Sequence, residues 1–231
     1  MSRTYPIALV LDDKDVVVIG GGAVAWRKVV GLLECGARVM VVAPELCPEL
    51  ELLAAGGDRR EGGCREGDRR EGGCREGGCQ LLSRPYESGD LAGASLVFAC
   101  TDNYETNARV AADAVALGVP VNVADCPELC SFYLPSVLRR DALSIAVSTD
   151  GSSPLAARLI REELEGVMGP EVDTFVELLR RWREKALAEL PAQQRAAFWQ
   201  AVADTEVYSL VRQGKLQQAE TLLSSLYENL L

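Results

Sequence analysis

The sequence contains no histidine, so it lacks the side chain that most often serves as a general base near neutral pH. Any proton transfer would have to use another group, and a carboxylate can do this work if its pKa is suitable. The chain also has no uncharged apolar run of about 18 residues, and we predict no membrane span. Its first residues, MSRTYPIALVLDDKD, lack the order of a signal peptide, so we expect a cytoplasmic protein.

An excess of positive charge is missing as well. The formal net charge is −10, which argues against nonspecific nucleic-acid binding because that binding requires a basic surface. A local basic pocket for a small anionic ligand is still compatible with an acidic protein. With 231 residues, of which 48% are hydrophobic, the chain is long enough for one large or two small domains that bury a core.

The eight cysteines are expected to be reduced thiols, because the chain shows no export signal. Cys35 and Cys100 lie in apolar stretches and are predicted to fill the core. Cys126 and Cys130 have the spacing C-x3-C, without a second pair and without histidine, and this is weak evidence for a ligand set. We therefore predict no metal site.

The clearest pattern is a β-α-β unit near the N-terminus. The β-branched run DVVVIG at residues 15–20 predicts a strand buried on both faces. A segment of helical spacing follows and stops at Gly36, and ARVMVVAP predicts a second, parallel strand. Between strand and helix, Gly20, Gly22 and Ala25 fit the motif G-x-G-x-x-A. Such a loop lets a pyrophosphate approach a helix N-terminus, so we predict dinucleotide binding, with a plain tight turn as the alternative.

The acid that usually holds the ribose hydroxyls at the end of the second strand is absent. The chain reads Val42-Ala43-Pro44-Glu45, so Glu45 comes a little late, and either its side chain or backbone groups would contact the ribose. No arginine stands there to bind a 2′-phosphate, which favours NAD over NADP.

A tandem repeat interrupts the domain. DRREGGCREG at 58–67 recurs unchanged at 68–77, and it is rich in charge and glycine with almost no apolar side chains. We expect a solvated, mobile insert over 58–79, tolerated at a loop tip. The alternative is a metal-binding loop through Cys64, Cys74 and Cys79, but the spacing matches no usual ligand set.

The complete pattern predicts an α/β protein. Through residue 125 the order β-α-β-α-β-β-α-β indicates a Rossmann-like parallel sheet, which we define as domain 1–125. Two strands with a charged turn near 139–141 and a helix capped by Ser153 follow, in a small α/β segment over 126–165. The remainder, 166–231, is predicted to be helical.

Asp102 lies where a later strand, VFAC at 97–100, ends in a polar turn. Open α/β sheets bind ligands at the carboxyl ends of their strands, so Asp102 is a candidate general base. Asp102 or Asn103 is equally suited to cap the helix that begins near Tyr104. The local sequence leaves both roles for Asp102 open.

Several segments together resemble the precorrin-2 dehydrogenase family, of the siroheme synthase N-terminal type. They are VVVIGGGAVAWRKVVGLLECGARVMVVAPEL, SLVFACTDNYETNARV and VNVADCPELCSFYLPSVLRRDALSIAVSTDGSSPLAARLIREELE. The resemblance extends over nearly all of residues 5–165 apart from the insert, and the C-terminal helices agree in kind.

The resemblance implies NAD-dependent oxidation of precorrin-2 to sirohydrochlorin, followed in some members by insertion of ferrous iron. It implies a homodimer with a central dimerisation segment, and an acidic tetrapyrrole as the substrate. The family's essential aspartate is matched to Asp102, and a serine at the substrate cleft is matched to Ser136. The nucleotide contacts in addition to Gly20 and Gly22 are predicted at Ala23, Val24, Pro44, Glu45 and Thr101.

A substrate with many carboxylates requires cations, and we predict Arg139 and Arg158 for this role, with Arg140 and Arg161 as further candidates and surface charge as the alternative for each. Two other functions are weighed against the enzyme. A non-catalytic NAD-sensing module on the same fold would not need Asp102 together with PELCSFYLPS. A dehydrogenase for a small metabolite would be expected to carry a catalytic His or a Lys–Tyr set, and neither is found at the expected place.

Overall fold

The computed structural model describes residues 4–55 and 78–230. The predicted insert lies outside these residues except for Gly78 and Cys79, and so do Cys64 and Cys74. The chain divides between Tyr133 and Leu134 into two compact units. None of the helices in the described part is long and apolar enough to cross a membrane.

The first unit is built on a five-stranded parallel sheet. Its strands follow one another in space in the order β3-β2-β1-β4-β5. The order changes direction between β1 and β4, and this change creates a crevice at the carboxyl ends of those two strands. The bounds are β1 Asp15–Ile19, β2 Arg38–Val42, β3 Cys79–Leu82, β4 Leu96–Ala99 and β5 Val121–Val123.

Helices cover the sheet on both faces, as the apolar runs predict. Residues of β1 alternate between two core clusters. Val16 and Val18 pack in the cluster that contains residues of α1 (Ala23–Glu34), and Val17 and Ile19 pack in the cluster that contains residues of α3 (Tyr104–Ala116). Helix α2 spans Pro48–Ala55, and short 3₁₀ turns lie at Ser88–Leu91 and Pro127–Leu129. The predicted Rossmann-like α/β fold of this region is confirmed.

The second unit begins with an antiparallel ribbon and continues as helices. The ribbon consists of β6 (Ser136–Arg139) and β7 (Ser144–Val147), closed by the Arg140 N–H, which donates to the Leu143 carbonyl at 2.8 Å. The predicted cap is confirmed, since the Ser153 hydroxyl oxygen accepts from the Ala156 N–H at 3.2 Å. The helices are α4 Pro154–Val167, α5 Glu171–Glu189, α6 Ala192–Ala203, α7 Val207–Arg212 and α8 Leu216–Glu228.

The C-terminal part, which the sequence predicts to be helical, is interrupted in the structure. The stretch PAQQRAAFWQAVADTEVYSLVRQG forms α6 and α7 with a break between Ala203 and Val207. At the break the Thr205 hydroxyl donates to the Val202 carbonyl at 2.7 Å. A threonine hydroxyl that binds a carbonyl in this way competes with the helical hydrogen-bond pattern and favours a turn.

Candidate functional site

The three consecutive glycines after β1 occupy three different environments. Gly20 has φ +119, and a Cβ placed on it would lie 2.6 Å from the carbonyl oxygen of Cys100. A Cβ on Gly21 would collide with the carbonyl oxygen of Glu45, whereas a Cβ on Gly22 would meet no atom of residues 4–55 and 78–230 within 4 Å. The first two glycines are therefore required by packing within the protein. The third leaves open space at the start of α1, where a ligand can approach the backbone.

Helix α1 presents the features of an anion site at this open space. Gly22 is its N-cap and supplies no side-chain hydrogen bond, and the first turn carries no acidic residue. The N–H groups at the start of a helix have no partner within the helix, and they carry the positive end of the helix dipole. Ala23 is exposed and Val24 is half-buried in this turn. The backbone N–H groups of this turn fit a dinucleotide pyrophosphate, whose charge would lie at the helix N-terminus.

The loop after β2 closes one side of the crevice. The Cys47 N–H donates to the Gly21 carbonyl at 2.7 Å, which holds the loop against the glycine turn. Pro44 and Glu45 precede this contact and are exposed. The structure thus brings the predicted contacts of this loop next to the predicted contacts of the glycine motif.

The turn after β4 resolves which residue caps α3. The Asn103 side-chain oxygen accepts from the Thr106 N–H at 2.8 Å, so Asn103 is the N-cap. Asp102 is exposed, and among the described residues it forms no hydrogen bond or ion pair. The carboxylate of Asp102 is therefore not used by the helix, and it lies at the carboxyl end of β4, beside the crevice.

Thr101, between the strand and Asp102, is held by one buried side chain. Asn107 on α3 donates from Nδ2 to the Thr101 carbonyl at 2.9 Å. Its Oδ1 accepts from the Thr101 hydroxyl at 2.7 Å and from the Thr101 N–H at 3.3 Å. Asn107 was not expected from the sequence, where it reads as one more polar residue of an amphipathic helix.

A second carboxylate at this edge of the sheet was also missed. Asp125 follows β5 and adopts φ +59, a left-handed conformation that is uncommon for residues other than glycine and that recurs at functional sites. Cys100 lies next to the end of β4, and burial raises the pKa of the Cys100 thiol to about 11. The nearby charge of Asp125 contributes a smaller part of this increase. The sequence carried a faint signal for it, an aspartate directly after an apolar strand.

Lys28 is a cation that the sequence analysis did not single out. Its side chain is half-buried on α1, and Nζ lies 5.6 Å from the centroid of the Phe98 ring. Burial lowers the pKa of Lys28, and so does the neighbouring charge of Arg27, while Cys100 and Cys130 oppose the shift. Among the residues that the structure describes, Lys28 forms no ion pair. It is therefore available to an anionic ligand.

The substrate contacts predicted from the sequence belong to the second unit. Ser136 begins β6 and is half-buried, and Arg139 ends the same strand and is exposed. Arg158 lies on α4, with Nε 3.7 Å from a carboxylate oxygen of Glu162. An exposed pair of this kind stabilises little and is easily exchanged for another anion. The role of these three residues stays a prediction.

In residues 4–55 and 78–230, no group of three or more Cys, Asp or Glu side chains is arranged to hold a metal ion. The six cysteines within those ranges, Cys79 among them, are free thiols. Cys64 and Cys74, which the alternative metal-binding loop would require, lie outside them.

Three family models match successive parts of the chain. Residues 7–136 match the family described as "Putative NAD(P)-binding". Residues 140–166 match "Sirohaem biosynthesis protein central", and residues 171–226 match "Sirohaem synthase dimerisation region".

The curated relatives include siroheme synthases from several bacteria. The protein from Ectopseudomonas mendocina is 38% identical over 219 residues, which are 94% of this chain and 43% of the relative. The protein from Thioalkalivibrio sulfidiphilus is 34% identical over 225 residues, which are 97% of this chain and 42% of the relative. The chain therefore spans less than half the length of these relatives.

Among solved structures, SirC, a precorrin-2 dehydrogenase, aligns with a TM-score of 0.70 at 23% identity. The alignment covers 94% of this chain and 100% of the other. At this level of identity the likeness shows that the two proteins share a fold.

Proposed function

The chain belongs to the family of siroheme synthase N-terminal regions and precorrin-2 dehydrogenases, and from this premise we propose that it oxidises precorrin-2 to sirohydrochlorin with NAD as the hydride acceptor. The observation that carries the proposal is the crevice between β1 and β4. On one side of the crevice, Gly22 leaves open space at the start of α1, where no side chain caps the helix. On the other side lies Asp102, whose carboxylate does not cap α3 because Asn103 does.

Binding of the cofactor would use mainly backbone groups. The N–H groups of Ala23 and Val24 would hold the pyrophosphate, with Gly20 and Gly22 permitting its close approach. Pro44 and Glu45 would flank the ribose, and Thr101 would contact the cofactor from the opposite wall. The loop after β2 offers no arginine to a 2′-phosphate, which supports NAD over NADP. NAD supplies the acceptor for the hydride; the protein has to orient the substrate and accept a proton.

The proton would be taken by a carboxylate. Loss of a hydride and a proton from the substrate yields the oxidised product, NADH and one proton, and Asp102 is proposed as the general base that receives this proton. Its exposed position and lack of partners support this role. Asp125 is a second carboxylate at the same edge, and its left-handed backbone supports testing it beside Asp102.

The acidic tetrapyrrole would be held by hydroxyl and cationic groups. Ser136, Arg139 and Arg158 are proposed contacts in the second unit. Lys28 is an additional candidate in the first unit, since its ammonium group is half-buried on an aromatic ring without a carboxylate partner among the described residues. A bound carboxylate would offset part of the cost of burying this charge.

We further propose that the protein acts as a homodimer. The match of residues 171–226 to a sirohaem synthase dimerisation region supports this assembly. A cytoplasmic location stays a prediction from the sequence.

The test measures NADH formation with precorrin-2 under anaerobic conditions, for the wild type, Asp102→Asn and Asp125→Asn. Glu105→Gln, an exposed carboxylate in the first turn of α3, is the matched control. We expect Asp102→Asn to bind NAD normally and to lose turnover by about 100-fold or more, and Glu105→Gln to keep it.

Three other outcomes are informative. Loss of turnover in Asp125→Asn alone would transfer the role of base to that residue. NAD binding without turnover in any protein would favour the non-catalytic NAD-sensing module on the same fold. A further spectral change on addition of ferrous or cobaltous ion to the product would reveal metal insertion as a separate activity.

A further inference from the structure

Asn107 is exceptional in the core of the first unit. It is 3% exposed, and apart from tyrosines it is the one buried side chain in the described part of the chain that is polar. Other buried positions of α3, Val110, Ala111 and Ala114, are apolar and pack against the sheet. A buried amide is costly unless it is hydrogen-bonded, and an apolar side chain at the same place would avoid that cost. The position therefore calls for a reason beyond core packing.

The hydrogen bonds of Asn107 converge on a single residue. Thr101 offers a carbonyl, an N–H and a hydroxyl, and all three are bound by the Asn107 amide at 2.9, 3.3 and 2.7 Å, respectively. The Asn107 amide holds its acceptor oxygen and its donor nitrogen in one plane. Together they fix both the position and the rotation of the Thr101 backbone. No apolar side chain can supply that restraint.

The peptide that carries the Thr101 N–H also lies close to the glycine loop. An ideal Cβ on Gly20 would lie 2.6 Å from the Cys100 carbonyl oxygen and 3.1 Å from the Thr101 nitrogen. The Cys100 N–H donates to the Ile19 carbonyl at 2.7 Å. The peptide that joins Cys100 to Thr101 is therefore close to Gly20 and hydrogen-bonded to Asn107, at the point where β1 and β4 end.

The restraint continues past Asp102. The Thr101 hydroxyl oxygen lies 3.1 Å from the Asn103 carbonyl and 3.3 Å from the Asn103 nitrogen, and Asn103 is fixed as the cap of α3. Both neighbours of Asp102 are thus held in place, while its own side chain is exposed.

We propose that Asn107 is a positioning residue of the dinucleotide crevice, which holds Thr101 against Gly20 so that the crevice is formed before the cofactor binds. This inference rests on the proposed NAD site and adds to it the residue that builds one wall. Asn107 does not contact the cofactor; it acts through Thr101. A wall that is formed in advance lowers the ordering cost of binding, so its loss should weaken cofactor affinity more than it weakens the fold.

The test compares two core variants of the same helix. Asn107→Leu removes the hydrogen bonds to Thr101 and keeps the number and branching of the side-chain heavy atoms, and Val110→Ala removes core packing without touching Thr101. Each protein is examined by thermal unfolding and by calorimetric titration with NAD. We expect both variants to unfold at lower temperature, Asn107→Leu to bind NAD at least roughly tenfold more weakly, and Val110→Ala to bind within about twofold of the wild type.

A second variant keeps the test independent of the folding of Asn107→Leu. Thr101→Val keeps the shape of Thr101 and removes only the hydroxyl group. We expect it to bind NAD several-fold more weakly, and we expect the double variant Asn107→Leu/Thr101→Val to bind no more weakly than Asn107→Leu alone, because the two groups act as one unit.

Unchanged NAD affinity in both Asn107→Leu and Thr101→Val would overturn the inference, and so would equal losses in Asn107→Leu and Val110→Ala at matched stability. In both cases the proposed function would stand, because the wild type binds NAD. A wild type that does not bind NAD would instead remove the proposed site, and this inference with it.

Discussion

The two units of the chain build their hydrophobic cores from different side chains. The first stacks small β-branched residues on both faces of a parallel sheet. The second packs aromatic rings between helices. The centroid of the Phe198 ring lies 5.9 Å from that of Trp182 and 5.7 Å from that of Tyr227. A sheet covered on both faces leaves only its edges for function, so the ligand groups of the first unit are loop backbone and strand-end polar residues.

The second unit differs in what it leaves at its surface. Leu155, Leu159 and Ile160 of α4 are exposed by 58%, 52% and 46%. Helices that keep apolar side chains outside their own core are suited to burying them against another chain. We therefore propose that the first unit binds the cofactor and the second unit forms the dimer, and the first variant below tests that division directly.

The largest expected effect is on the aromatic core of the second unit. Phe198 is fully buried against Trp182, Trp199 and Tyr227, so Phe198→Ala should lower the free energy of unfolding by about 3–5 kcal/mol. We expect the loss of dimers in size-exclusion chromatography, while NAD still binds. Arg183→Gln, at an exposed polar position of α5, is the control and should change neither the free energy of unfolding nor the amount of dimer. Loss of NAD binding in Phe198→Ala would show that the two units do not divide the work.

The second prediction separates the role of Gly21 from the role of Gly22 in the glycine loop. Gly21→Ala places a methyl group against the Glu45 carbonyl, and it should cost about 1–3 kcal/mol of stability as well as NAD binding. A Cβ on Gly22 has no atom of the described residues within 4 Å, so in Gly22→Ala the unfolding temperature should stay unchanged while NAD binding weakens. Thermal unfolding and NAD titration of both variants provide the measurement. Normal NAD affinity in Gly22→Ala would mean that the open space is not the pyrophosphate site.

A smaller effect on stability is expected at acidic pH, where the carboxylate of Asp90 becomes protonated. Burial raises the pKa of Asp90, but hydrogen bonds from Arg84 and from the Glu87 N–H outweigh it, so the pKa lies below its ordinary value of 3.8. The stability that these bonds contribute is present above the unfolded-state pKa and is lost as the pH falls through the lower folded-state pKa.

Asp90→Asn should therefore cost about 1 kcal/mol at neutral pH and should flatten the loss of stability below pH of about 4. Denaturant unfolding across pH gives the answer, with Glu51→Gln, an exposed carboxylate of α2, as the control. An acid profile of Asp90→Asn that coincides with the wild type would refute the assignment.

The smallest effect is expected from the duplicated decamer. Deletion of residues 58–77 removes charged and glycine-rich sequence between α2 and β3, and long surface insertions change loop-closure entropy only slightly. Stability and dehydrogenase activity should stay nearly unchanged. A deletion variant that folds but loses turnover would give the insert a part in the reaction.

Periodicity and glycine spacing were sufficient to predict the parallel sheet, because a strand buried on both faces and a G-x-G-x-x-A loop are local patterns. The choice between Asp102 and Asn103 as the cap could not be made from residue type, because aspartate and asparagine are equally good caps; it depended on which side chain reaches the Thr106 N–H. The break between α6 and α7 was missed because Thr205 looks compatible with a helix until its hydroxyl binds a carbonyl.

Asn107, Lys28 and Asp125 were missed for a related reason. Each acquires its role from a side-chain contact that forms only in the folded chain or from a backbone angle. Lys28 lies on the ring of Phe98, seventy positions away along the chain, and Asp125 is distinguished by a positive φ. Such features arise from tertiary structure, which residue spacing alone does not encode.

The most direct test of the account is a single mixing experiment with purified wild-type protein, NAD and precorrin-2 in the absence of oxygen, followed by NADH absorbance. We predict NADH formation in a one-to-one ratio with sirohydrochlorin, and little formation when NADP replaces NAD. A protein that binds NAD but produces no NADH with this substrate would contradict the proposal that the crevice between β1 and β4 is the active site of a precorrin-2 dehydrogenase.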